Sequence, residues 1–215
     1  MRGIFTLLPI FILFLLIRPS ELSAQYVGAW QPAIERDNIE VLIHRSQDLR
    51  VRGFKATTTI YLPFDSLEAI FDDVVSYPEW QTMFRETKVV HRVSDSRFHY
   101  YARTNLSWPA KNHDLMWRVE KEWDSRDGSL VYNQVCSSNT MPEKIKHGTI
   151  MQAFASWRLK PISEDEIEVT FYLHVDKGGR IPSWLINLLS PDNPHEILVN
   201  LRGRGLLPEG DLALD

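Results

Sequence analysis

The second half of the chain alternates apolar and polar residues with the period of two that is typical of β-strands. In residues 115–119 and 167–175 every second position carries an apolar side chain. Short polar turns such as Ser94-Asp95-Ser96 separate several of these segments, so we expect consecutive strands to run antiparallel. The predicted strands are residues 85–93, 97–107, 113–124, 129–138, 149–160 and 166–176.

The preceding part of the chain mixes helical and extended patterns. The predicted elements are a short helix at residues 30–37, strands at 39–44 and 51–62, and a helix at 65–76. Asp65 and Glu68 form a capping-box pattern at the start of the second helix, and Tyr77-Pro78 marks its end. The strand at 51–62 is rich in threonine, which suits a pleated surface.

The C-terminal region has a different hydrophobic pattern. Residues 184–189 are apolar nearly all round a helix, so we expect this segment to be buried. Pro191 interrupts the pattern, and Asn193 and Pro194 suit the start of a new helix that ends near Gly203. A curved antiparallel sheet needs a layer across its concave side, so the pattern predicts an α+β fold whose terminal helix supplies that layer.

The first 24 residues resemble a secretory signal peptide. A positive start at Met1-Arg2 precedes the apolar stretch 4–17, and Leu22-Ser23-Ala24 suits a cleavage site. As a helix, that stretch would span about 21 Å, which is short of the hydrocarbon core of about 30 Å. We therefore expect a cleaved leader at residues 1–24, one domain at residues 25–210, and a secreted or periplasmic mature protein.

Charge and composition exclude several functions. The net charge of −4 offers no basic surplus for nucleic acid, and the single cysteine, Cys136, permits no internal disulfide. The seven histidines show no metal-ligand spacing, and the chain has no G-x-S-x-G nucleophile motif. We therefore expect no metal, no cofactor and no enzymatic activity.

Two motifs carry a resemblance to a known family. Residues 108–114 read W-P-x-x-x-H-D, and residues 176–187 read D-x-G-G-x-I-P-x-W-L-x-N. With the order of elements, they resemble the StAR-related lipid-transfer (START) family over residues 30–205. His113 stands where family members usually have Arg, and the interruption from Pro191 to Pro194 departs from their single long terminal helix. The resemblance implies a helix-grip fold with a curved antiparallel sheet around a C-terminal helix, and a tunnel for a hydrophobic ligand such as a sterol, phospholipid or polyketide.

Candidate tunnel residues are large apolar side chains with a few polar groups that would orient the ligand. The candidates are Trp117, Phe154, Phe171, Trp184, Leu185, Leu188 and Leu189, with the polar residues Tyr101 and Arg103; weaker polar candidates are Asn105, Arg118, Gln134 and His174. The alternative for each apolar residue is a place in the packed core, and the alternative for each polar residue is a position that faces solvent.

The expected function is non-covalent binding of a lipid or another hydrophobic small molecule, with transfer of that molecule as an extension of the binding. We expect a monomer that contacts a membrane surface transiently and binds no nucleic acid, with the Pro191 to Pro194 segment as a hinge. One alternative is a cyclase or hydrolase on the same fold. Another is a protein-interaction domain with a filled core, for which an exposed apolar patch would be the sign.

Overall fold

A computed structural model describes residues 30–45, 51–108, 111–136, 152–176 and 190–205. Its main element is a curved antiparallel sheet of nine strands in the order β1-β2-β3-β9-β8-β7-β6-β5-β4. The strands are β1 Gln31–Arg36, β2 Ile39–Arg45, β3 Val51–Ile60, β4 Phe84–Ser94, β5 Arg97–Thr104, β6 Asp114–Asp124, β7 Ser129–Cys136, β8 Gln152–Pro161 and β9 Ile167–Asp176. Every neighbouring pair is antiparallel, which confirms the predicted α+β class.

Short helices interrupt the sheet after β3. Helix α1 covers Phe64–Asp72, a single 3₁₀ turn covers Val74–Ser76, and α2 covers Tyr77–Trp80. Helix α3, Asp192–Arg204, lies at the C-terminal end of the described chain. Among the described residues, none of the helices combines the length and the apolarity needed to cross a membrane.

The predicted helix at residues 30–37 is wrong, because this segment forms strand β1 and pairs with β2. The turn between the two strands consists of Asp37 and Asn38, both with φ of 55°. Positive φ at both central residues is the geometry of a two-residue hairpin turn, and Asp and Asn tolerate it better than most residues. The Asp-Asn pair between two short segments was therefore a hairpin signal that the helical interpretation overlooked.

Two predicted helix boundaries are also wrong. The cap residue of α1 is Pro63, which makes no side-chain capping bond, so Asp65 lies inside the first turn and does not cap the helix. Pro78 lies in the first turn of α2, where backbone N–H groups have no hydrogen-bond acceptor within the helix, so proline loses nothing by lacking one. It therefore begins a helix at the point where it was expected to end one.

Helix α3 begins at Asp192, directly after Pro191, so it starts before the predicted Asn193 cap. Pro194 again lies in the first turn and does not interrupt the helix. Ile197, Leu198 and Leu201 are fully buried, which anchors α3 to the rest of the protein. The predicted apolar helical segment at residues 184–189 lies outside the described residues.

The strand register divides the sheet into an inner face, which packs against the helices, and an outer face. One row across six strands shows the inner face: Val41, Ala56, Phe171, Trp157, Tyr132 and Lys121. Successive side chains of a strand point to opposite faces, so alternate positions of every strand fall in this core. The apolar members of the row are buried, and the helices cover them from one side.

Candidate ligand-binding site

A continuous band of aromatic rings lines the inner face from β3 to β6. We call it the aromatic band, and its members in order are Phe54, Phe171, Trp157, Trp80, Tyr77, Tyr100 and Trp117. Neighbouring ring centroids lie between 3.9 Å, for the stacked Trp157–Phe171 pair, and 6.3 Å, for Tyr100–Trp117. All seven residues are buried. The band is thus a large apolar surface with several flat side chains.

Strands and helix α2 position the band together. Phe54, Phe171 and Trp157 lie on three neighbouring strands, and Tyr100 is opposite Trp117 across the β5–β6 pair. Helix α2 places Tyr77 and Trp80 between these two groups. The hydroxyl of Tyr77 donates to the backbone carbonyl of Phe71 at 2.6 Å, which fixes its ring. Burial raises the pKa of Tyr77, so the hydroxyl remains a neutral donor.

Three polar side chains of the inner face lie together at the β6 end of the band. The hydroxyl of Tyr100 donates to Oε1 of Gln134 at 3.1 Å, and both side chains are buried. Cys136 is opposite Trp117 in the β6–β7 register. Burial raises the pKa of the Cys136 thiol to about 12 and the pKa of Tyr100 well above its usual value. Both groups are therefore uncharged at neutral pH.

A paired lysine lies on the same face, next to α1. The ammonium group of Lys121 is 2.8 Å from Asp72 and 2.5 Å from Glu68, and the hydroxyl of Tyr132 donates to Asp72 at 3.0 Å. Burial lowers the pKa of Lys121, but the hydrogen bonds to Asp72 and Glu68 outweigh that effect and raise it. Lys121 is therefore a structural cation with two carboxylate partners.

The structure places the predicted site residues on both faces of the sheet. Trp117 and Phe171 lie on the inner face and belong to the aromatic band. Phe154 is 39% exposed and lies on the outer face, next to Tyr172. Tyr101 and Arg103 also lie on the outer face, because they alternate with the inward-facing Tyr100 and Ala102 along β5. Trp184, Leu185, Leu188 and Leu189 lie outside the described residues.

The outer-face pair Tyr101 and Arg103 shares one carboxylate. The Tyr101 hydroxyl donates to Oδ1 of Asp114 at 2.6 Å, and Nε of Arg103 lies 3.7 Å from the same oxygen. Burial and the hydrogen bond to Asp114 raise the pKa of Tyr101 to about 12. Arg118 is instead 3.9 Å from Glu120. Asp114 therefore pairs across strands with Arg103 and not with Arg118.

Sequence reasoning missed five members of the band: Phe54, Tyr77, Trp80, Tyr100 and Trp157. The inward orientation of Tyr100 could have been predicted, because pairing β5 with the alternating strand that holds Trp117 places the two residues on the same face. Tyr77 and Trp80 could not, because their place depends on how α2 packs onto the sheet. Among the described residues, no group of three or more His, Cys, Asp or Glu is arranged to hold a metal ion.

Helix α3 is attached to the β1–β2 turn by a polar cluster, which we call the helix latch: Arg36, Asp37, Asp192, His195 and Arg202. Nε2 of His195 lies 3.0 Å from a carboxylate oxygen of Asp37 and 3.3 Å from Nε of Arg36. Arg36 also donates to Asp192 at 3.3 Å, and Arg202 donates to the backbone carbonyl of Asp37 at 2.7 Å. His195 is nearly buried, so the latch lies at the edge of the core.

Comparison with known proteins identifies the class to which this architecture belongs. The START domain model matches residues 28–192, which is most of the chain. The chain therefore belongs to the START domain family. The nine-stranded antiparallel sheet with its C-terminal helix is the helix-grip fold of that family, as predicted.

Individual relatives are distant in sequence. An uncharacterized protein of Pseudomonas aeruginosa is 25% identical over 173 residues, which are 80% of this chain and 85% of the relative. The structure of a STAR-related lipid transfer protein fragment from Xanthomonas axonopodis superposes with a TM-score of 0.70 at 22% identity, over 83% of this chain and 99% of that one. Human StAR-related lipid transfer protein 5 gives a TM-score of 0.64 at 13% identity, over 86% and 89% of the two chains. These structures share the fold.

Proposed function

We propose that this protein binds a lipid or another hydrophobic small molecule, without covalent chemistry, against the inner face of its sheet. The observation that carries the proposal is the aromatic band, which offers flat apolar surface across five strands and α2. Membership of the START domain family supports it, as do the names of the two solved relatives, which describe lipid transfer. Binding would be driven by removal of apolar area from water, at about 25 cal/mol per Å².

The acid–base properties of the inner face favour binding over catalysis. The Cys136 thiol and the Tyr100 hydroxyl both have raised pKa values, so neither is a ready nucleophile or base at neutral pH. Lys121 is held by two carboxylates. These groups suit the orientation of a bound molecule rather than proton transfer.

Ligand exchange requires an opening, and we propose that movement of α3 away from the β1–β2 turn provides it. The helix latch is polar and solvent lies beside it, so it can break at lower cost than the apolar core. Transient contact with a membrane surface would supply or accept the ligand. We further propose that residues 1–24 are removed on export and that the mature protein acts in the periplasm or outside the cell.

Native mass spectrometry of the protein purified from its own host tests these proposals together. We expect the mass of a chain that begins at Gln25, plus one bound organic molecule that solvent extraction releases. A chain of full mass would contradict the leader. An empty protein that also fails to take up fluorescent lipids would contradict ligand binding.

A matched pair of variants locates the site. Ala155 lies on the inner face, opposite Gln134 and Leu173, while its neighbour Ser156 faces outward. Ala155→Phe should fill space at the band and abolish lipid uptake, whereas Ser156→Phe should leave uptake unchanged. Circular dichroism of both variants checks that they fold. Equal uptake by a folded Ala155→Phe protein and the wild type would place the ligand elsewhere.

A further inference from the structure

Trp117 holds a buried hydrogen-bond donor without a partner. The side chain is on the inner face of β6 and the residue is only 5% exposed. Among the described residues, its indole Nε1 has no hydrogen-bond acceptor and no contact with solvent. A buried N–H that finds no acceptor costs about 1–3 kcal/mol, and most such groups in folded proteins are satisfied.

Among the described residues, two uncharged polar side chains, those of Tyr100 and Gln134, lie near this donor. The ring of Tyr100 stacks over Trp117 with an interplanar angle of 12°, and its hydroxyl is bonded to Oε1 of Gln134. Gln134 is on β7, diagonally across from Trp117 in the register, and its side-chain amide carries N–H donors besides the oxygen that Tyr100 bonds. A buried indole donor without a partner favours an acceptor oxygen.

The described lysine of the inner face bears on the charge of the acceptor. An anion taken from water into this interior would need a cation beside it to offset its desolvation. Lys121, on the same strand as Trp117, already binds Glu68 and Asp72. A neutral oxygen needs only the hydrogen bonds that Trp117 and Gln134 can donate.

We infer that the ligand carries an uncharged acceptor oxygen, such as that of a hydroxyl, carbonyl or ester group, and that Trp117 Nε1 donates to it at the β6 end of the aromatic band. This inference rests on the proposed function. Gln134 assists as a second donor, and Tyr100 holds Gln134 in position. The apolar remainder of the ligand lies along the band toward β3.

Three pyrene-labelled probes of equal chain length test the inference: a decyl alcohol, the corresponding decane and the decanoate anion at pH 8. Pyrene fluorescence gives the affinity of each. The wild type should bind the alcohol about tenfold more tightly than the alkane, as expected for one buried hydrogen bond, and the anion most weakly. Trp117→Phe should lose the preference for the alcohol and keep its affinity for the alkane.

Trp123→Phe is the matched control, since Trp123 is on the same strand and is 59% exposed. It should keep the wild-type preference. Unchanged alkane affinity in Trp117→Phe shows that the site remains folded. Equal binding of alcohol and alkane by the wild type, or the same preference in Trp117→Phe, would overturn the inference while leaving hydrophobic binding intact. Failure of the wild type to bind any probe would overturn the proposed function and the inference with it.

Discussion

Gly53 occupies a position in β3 where no side chain fits. A Cβ atom built there would overlap the backbone carbonyl oxygen of Leu173 and come within 3.3 Å of Nδ1 of His174. The obstacle is backbone of β9, which cannot rotate away as a side chain could. Close approach of β3 and β9 at this point therefore depends on glycine.

Gly53→Ala should destabilise the protein by about 1–3 kcal/mol, because the added methyl group forces the two strands apart. The measurement is urea unfolding, with the midpoint and slope compared with those of the wild type. Gly203→Ala is the control: it lies in α3 with nothing within 4 Å of the added Cβ. That change should stabilise the protein by about 0.5–1 kcal/mol. Similar effects of both substitutions would contradict the steric argument.

The alternation of residue types alone identified Trp117 and Phe171 as large inward-facing side chains, because successive side chains of a strand point to opposite faces of the sheet. The same alternation explains why Phe154, Tyr101 and Arg103 lie on the outer face, since each is adjacent in sequence to an inward-facing residue. The register of the strands decides which of the two faces each side chain lies on, but the register depends on which strands pair. That information is tertiary.

At the scale of elements, the helix latch joins α3 to the β1–β2 turn. Asp37 contributes its carboxylate to His195 and its carbonyl to Arg202, and its positive φ places both groups on the side of α3. The turn that was first interpreted as part of a helix therefore has a second role. It forms the surface on which the terminal helix is fixed.

Asp37→Asn keeps a residue that tolerates positive φ but removes the charge that faces His195 and Arg36. We expect amide hydrogen exchange in α3 to accelerate about threefold, since pairs at this degree of exposure contribute modestly to stability. Exchange in β6 and β7 should not change. Glu35→Gln, two positions earlier on the exposed β1, should leave α3 as protected as in the wild type. Uniform acceleration across the protein would indicate a general loss of stability instead of a local latch.

At the scale of the whole molecule, the proposed exchange mechanism requires α3 to leave the β1–β2 turn. Cysteines in place of Asp37 and His195, whose side chains now lie 3.0 Å apart, can be joined by a short cross-linker with two bromomethyl ends, which forms a thioether with each thiolate and releases bromide. The native Cys136 will not interfere, because it is buried and burial raises its pKa to about 12. The cross-linked protein should exchange a fluorescent lipid with vesicles at least tenfold more slowly than the same variant before cross-linking.

Dilution of a quenched lipid from donor vesicles measures this rate. The double variant without cross-linker also reports the effect of the lost latch, and it should exchange as fast as the wild type or faster. Rapid exchange after complete cross-linking would show that the opening lies elsewhere in the protein. Slow exchange in both forms would show that the substitutions themselves impair binding.

The sequence by itself determined the strands of the meander, the antiparallel pairing that short turns impose, the α+β class and the family. Alternation with a period of two is a local property of the sequence, so it can be recognised without knowing any tertiary contact. The motifs around residues 108–114 and 176–187 added the family resemblance that the START domain match then confirmed. Strand β1 was the exception: the two-residue turn at Asp37-Asn38, and not the residue pattern of the segment, determines that it forms a strand.

Tertiary structure alone decided how the aromatic band is assembled and where hydrogen bonds are left open. Tyr77 and Trp80 join the band only because α2 packs between two groups of strands. The unpaired indole of Trp117 and the side chain of Gln134 lie on the same face of two neighbouring strands, because strand pairing places residues distant in sequence side by side. Burial and hydrogen-bond satisfaction are properties of the assembled core, and no local pattern of residues encodes them.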